Sequence, residues 1–204
     1  MGLKYQFFKS DAHEAILSLA LGWEVGGTGR KAVEAESFST VTPALFFGKG
    51  FGDLPDGFPF LKPLALTGVL GVKLPTRATT RKVEDDEVEI ERHPNIFQWG
   101  FVFEYSLPYL QSFVKDVGLP APFNRMIPVV ELDFETPLGR GQGGQTTGTV
   151  NPGVIWAGKF FQLGLEAVLP VNERTGKNVG VRGMLHFFLD DLFPKTLGRP
   201  IWGR

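Results

Sequence analysis

Apolar and polar residues alternate with a period of two along most of the chain, the spacing of a strand with one apolar face. The clearest stretch is 96–107. Phe97, Trp99, Phe101, Phe103, Tyr105 and Leu107 share one side there, and Gln98, Gly100, Val102, Glu104 and Ser106 share the other. In 161–169, Phe161, Leu163, Leu165, Ala167 and Leu169 oppose Gln162, Gly164, Glu166 and Val168. The stretches 14–25, 129–135 and 179–189 repeat the pattern, and 3–9, 40–49, 64–74 and 150–158 are weaker members. The alternation therefore predicts nine antiparallel strands, near the ~9–11 residues a membrane-crossing strand needs.

The second face separates the fold classes. A soluble sandwich solvates that face with many Lys, Glu and Thr. Here it is mostly Gly, Ser, Ala and Gln with isolated charges, which suits the inside of a narrow barrel. The aromatic face suits lipid, with Trp and Tyr near the interfaces. The expected fold is all-β, an antiparallel transmembrane β-barrel of nine or ten visible strands, with 1–204 as a single barrel domain.

Loop lengths fit the same reading. If 179–189 ends at the periplasmic side, then 172–178, 139–148, 75–94 and 26–37 become external. The turns at 10–13 and 158–159 become periplasmic and tight. The periplasmic links 50–63 and 108–128 are long, and 110–117 is expected to carry a short helix. Pro75, Pro137 and Pro170 mark strand ends, because proline has no ladder donor. The run Thr42-Pro43-Ala44 resembles Asn151-Pro152-Gly153. The spacing of Leu54, Pro55, Phe58 and Pro63 recurs in Leu119, Pro120, Phe123 and Pro128. A common hairpin unit is implied, although aligning Pro63 with Pro128 sets the two following strands one residue out of phase. A bulge would repair that. Nine strands is odd for a bacterial barrel. At least one upstream strand and a signal peptide are therefore expected before Met1, since no apolar run follows the N-terminus.

Composition narrows the chemistry. The 204 residues carry a net charge of −1, 26 Gly, 19 Phe and no Cys. Nothing suggests nucleic acid, and thiol chemistry and disulfides are excluded. No apolar run approaches the ~20 residues of a membrane helix.

The motifs that carry chemistry elsewhere fail here on context. The run from Gly139 to Gly144 matches a dinucleotide fingerprint, but Asn151-Pro152 follows shortly and no helix can begin. The charged run 81–92 has no calcium-loop spacing and reads as a solvated loop or projecting hairpin arms. His13 lies in a turn and His93 before a proline. No Gly-x-Ser-x-Gly elbow accompanies His186. No enzyme, metal or cofactor is expected. The alternation turns Glu24, Lys73, Glu104, Glu131, Asp133, Glu135, Glu166, Arg182 and His186 inward as lumen-lining groups. Such charges need water or partners, and either a plugged or a water-filled, cation-favouring lumen would supply them.

Four stretches carry a family resemblance: Gly2-Leu3-Lys4-Tyr5-Gln6-Phe7-Phe8, Leu21-Gly22-Trp23-Glu24, an Asn151-Pro152-Gly153 hairpin, and Leu185-His186-Phe187-Phe188. Over nearly the whole chain the sequence resembles a broad family of transporter-like bacterial outer-membrane barrels, including members linked to meta-pathway phenol degradation. The resemblance implies uptake or export of small hydrophobic or aromatic solutes. Membrane lipid and the barrel-assembly machinery are the expected partners, with Phe193 or Trp202 as assembly signal. A plugged surface-interaction barrel and a soluble barrel binding an apolar ligand are the alternatives.

Overall fold

The computed structural model describes residues 1–29, 36–84, 87–139 and 145–196. Nine strands form one antiparallel sheet: β1 (Gly2–Ser10), β2 (Ala15–Glu24), β3 (Thr40–Gly50), β4 (Leu64–Pro75), β7 (Asn95–Tyr105), β8 (Met126–Leu138), β9 (Thr147–Ala157), β10 (Phe161–Pro170) and β11 (Gly180–Phe187). Each pairs with its neighbour in that order. These are the nine alternating segments of the sequence. Between β4 and β7, β5 (Thr79–Glu84) and β6 (Glu87–Arg92) form a separate hairpin, the projecting arms that the charged run allowed. At its base Phe38 packs on His93, with ring centroids 4.1 Å apart.

Connections alternate between two rims. The short rim turns lie at 11–14 and 158–160, as expected. The longer link after β7 carries α1 (Leu107–Tyr109), capped by the Ser106 hydroxyl accepting from the Tyr109 N–H, and then a π turn, Leu110–Val114. Four sequence expectations fall partly or wholly outside the described residues: 140–144 of the glycine-rich run, 30–35 of the first long loop, 85–86 of the charged run, and Trp202.

Two expectations are corrected. The barrel is not closed: β1 and β11 are the two edges of an open sheet and do not pair with each other. Nine alternating strands leave those edges running the same way, so they cannot join antiparallel. Asn151-Pro152-Gly153 is not a hairpin either. It lies in the middle of β9, because the unbroken pairing with β8, and the β10 pairs on either side of Asn151 and Pro152, outweigh the local turn preference of Asn, Pro and Gly.

The prolines leave a signature in the ladders. Pro43 lies within β3, and the β3–β4 pairing passes from Val41↔Leu74 to Ala44↔Gly71. Pro152 lies within β9, and the β9–β10 pairing passes from Glu166↔Gly153 to Leu169↔Val150. Each gap falls where proline has no N–H to give. The sequence repeat at 42–44 and 151–153 is thus a structural repeat. No bulge reconciles Pro63 with Pro128. Pro63 precedes β4 while Pro128 lies inside β8, so the two strands start at different points. The register shift falls instead in β1, between Gln6 and Phe8.

Candidate functional site: the small-residue face

Register fixes which residues share a face, because successive side chains of a strand point to opposite sides. On one face Leu21 faces Leu3 and Pro43, Leu70 faces Leu45 and Trp99, and Leu163 faces Trp156 and Leu185. Trp99 stacks on Phe134 with centroids 4.3 Å apart. The other face is built on Gly22, Ser18, Ala44, Gly71, Gly100 and Gly153.

The two faces differ in exposure, in the reverse of a soluble protein. Tyr5, Leu19, Trp23, Phe103, Leu165 and Phe187 on the apolar face are exposed, Leu165 by 58%. Among the described residues the buried apolar side chains are few: Phe38, Leu110 and Val129, with Pro63 and Pro94. The chain's accessible surface is 14333 Å², whereas a soluble 22.5 kDa protein has about 9,500 Å². The small-residue face holds the enclosed positions instead, Ser18 at 4% and Asn151 at 0%.

That face is concave. Lys4 on β1 and Glu131 on β8 line one cavity of about 480 Å³, along with Ser18, Phe46, Gln98 and Asp133. In a flat sheet those two strands would lie about 24 Å apart. From the other edge, Arg182 on β11 reaches Glu131 at 2.9 Å across β9 and β10. A cavity shared by β1 and β8, and an ion pair from β11 to β8, require the sheet to curl toward this side.

All nine residues singled out from the sequence lie on this face by register, and several are joined there. Lys73 donates to Glu135 across β7. Arg182 Nη1 donates to Glu131 Oε2 and stands 3.6 Å from Glu166 Oε2. Glu104 lies diagonal to Glu131, whose direct partner on β7 is Val102. Asp133 pairs with Gly100 and Thr149. Two others stand apart from these ion pairs. Glu24 is exposed at the rim, bordering a separate cavity with Phe38 and Thr40. His186 is exposed opposite Gln162.

Sequence reasoning missed Lys4 and Asn151. The Lys4 ammonium lies over the Phe46 ring, 4.2 Å from its centroid, and its alternation with Leu3 and Tyr5 was the available signal. Asn151 was hidden inside an apparent turn.

A second cluster ties the short rim. Glu14, at φ +46°, accepts the Gly52 N–H at 2.8 Å. The Lys49 ammonium donates to the His13 carbonyl and to Asp53, each at 2.6 Å. Its hydrogen bond and charge hold the Asp53 carboxyl below the usual carboxylate range.

Among the described residues no three acidic or histidine side chains converge to hold a metal ion. No helix among them is long and apolar enough to cross a membrane, which leaves crossing by strands untouched. No family model matches the chain, and no curated protein matches it.

Proposed function

We propose that the chain forms the wall of a bacterial outer-membrane β-barrel that admits small solutes passively. The carrying observation is the inverted sheet, with leucines and aromatics exposed on the convex side and small residues with isolated charges on the concave one, where Ser18 and Asn151 are enclosed. Burying that convex face in lipid removes the apolar surface from water. Strands of 8 to 13 residues suit the span. Membrane lipid and the barrel-assembly machinery are the partners on this reading, which involves no catalysis. Solutes of hydrophobic or aromatic type follow from the family resemblance alone. A soluble barrel around an apolar ligand needs the aromatics on the concave side, where Phe46 is the exception rather than the rule.

Refolding from urea with and without detergent micelles tests the membrane reading. The expected result is a β-type circular dichroism spectrum and a heat-modifiable gel band in detergent only. A β-rich soluble monomer in plain buffer would overturn it. Flux is tested separately in planar bilayers. Discrete currents are expected. Folded protein that passes none points to the second reading, a sealed barrel acting through 75–94 and 139–148, which the ion pairs crossing the concave face favour.

A further inference from the structure

The Asn151 side chain is fully enclosed, yet neither its amide oxygen nor its nitrogen has a hydrogen-bond partner. Buried amides are almost always satisfied, and each exception calls for a missing water or ion. Asn151 stands directly opposite Glu131 on the same face. Glu166 is opposite Gly153, one same-face step along β9, and Gly153 has no side chain to intervene. The Glu166 Oε2 atom is likewise enclosed without a hydrogen-bond partner. Arg182 stands over both carboxylates and is itself half exposed.

When both carboxylates are ionised, two glutamates and one guanidinium leave one net negative charge. Two enclosed oxygens beside it, Asn151 Oδ1 and Glu166 Oε2, accept no hydrogen bond. An isolated excess charge at such a place is costly unless it is neutralised. A water molecule would satisfy the amide but not the charge. A divalent ion is the poorer fit, because calcium wants six or more oxygens.

We propose that Asn151, Glu131 and Glu166 form a site for one monovalent metal cation, entered from the concave side past Arg182. The amide oxygen and the two carboxylates are its ligands. Arg182 is a tethered competitor whose charge limits how tightly the ion is held. The site goes beyond passive passage of solutes and does not require flux.

The test is sodium titration in a choline chloride background, followed by ²³Na relaxation. The folded full chain is used, in micelles or in whatever medium keeps it folded. Saturable binding of one ion per chain is expected. Asn151→Leu and Glu166→Gln are each expected to weaken it by about tenfold or more, the scale of losing one charge-assisted ligand. Asn151→Asp, which keeps the shape and adds charge, is expected to tighten it, as is Arg182→Gln. The proposal is overturned if the wild-type protein shows no saturable sodium signal. It is also overturned if Asn151→Leu and Asn151→Asp both bind as the wild type does, since the ion would then be held elsewhere on the acidic surface. Binding without current would remove the channel reading and leave the site.

Discussion

Phe47 on β3 and Phe101 on β7 meet edge to face above Gly68 of the strand between them, with ring centroids 6.0 Å apart. The contact exists because Gly68 has no side chain. A Cβ there would run into the Phe47 ring and stand 2.8 Å from the Gly100 carbonyl oxygen. Edge-to-face pairs of this kind add about 0.5–1.5 kcal/mol beyond area burial.

Gly68→Val is therefore expected to destabilise the sheet by about 1–3 kcal/mol, the usual cost of overpacking, despite valine's preference for strands. The urea midpoint of the heat-modifiable band in detergent measures it. A midpoint at or above wild type would mean that the rings part without cost.

Leu165 distinguishes lipid from water as the medium on the convex side. At an exposed site in water, Leu165→Arg would be close to neutral. Facing the middle of a bilayer it costs about 2–4 kcal/mol. The same change in Val88 of the projecting hairpin serves as control and is expected to be silent, because Val88 is exposed at 60% beyond the sheet. Paired unfolding curves in lipid vesicles read the difference.

Arg182 sets the sign of the concave face near its edge. Arg182→Ala leaves Glu131 and Glu166 without their cation, so reversal potentials in a potassium chloride gradient should move toward stronger cation preference. Glu131→Gln should move them the other way. The stability cost of Arg182→Ala is expected to exceed the ~1 kcal/mol of a surface pair, because the Glu166 carboxylate it leaves behind is only 13% exposed.

Acid should release the short rim. The Asp53 carboxyl is depressed in the folded protein by Lys49, so its contribution is present above the unfolded value of about 3.9 and fades as pH falls through the lower folded value. Amide resonances of 50–56, followed by NMR from neutral pH downward, should shift together below about pH 4. In Asp53→Asn that shared shift should be lost, leaving only the movement that Asp56 drives at its own end of the segment. Asp56, paired with Lys62 at 2.8 Å and depressed by it, should move in the same direction.

The strands were legible because alternation is local. Phe97 through Leu107 shows its two sides without reference to any partner, and so do the other eight segments. The inward charges followed from the same parity. What could not be read was distance across the sheet. Nothing in the order of residues says that Arg182 meets Glu131 three strands away, or that Lys4 from the opposite edge lines the same cavity as that glutamate. Both depend on curl, a property of the whole sheet. The Asn-Pro-Gly run misled for a related reason. Its turn preference is worth little against the continuous ladder with β8, formed by residues 20 and more positions away.

The interrupted ladder at Pro152 shapes how this wall would come apart. β10 is joined to β9 by two short runs of pairs, Gln162 to Glu166 and then Leu169 to Pro170, rather than by one long run. Tearing a single zip must pass every tooth in turn, whereas a stitched hem can lift between stitches. The β10–β11 hairpin, which carries Arg182, is attached like such a hem. Local fraying should therefore start beside Asn151, and a leaf of two strands can loosen at one edge while the seven behind it keep their register.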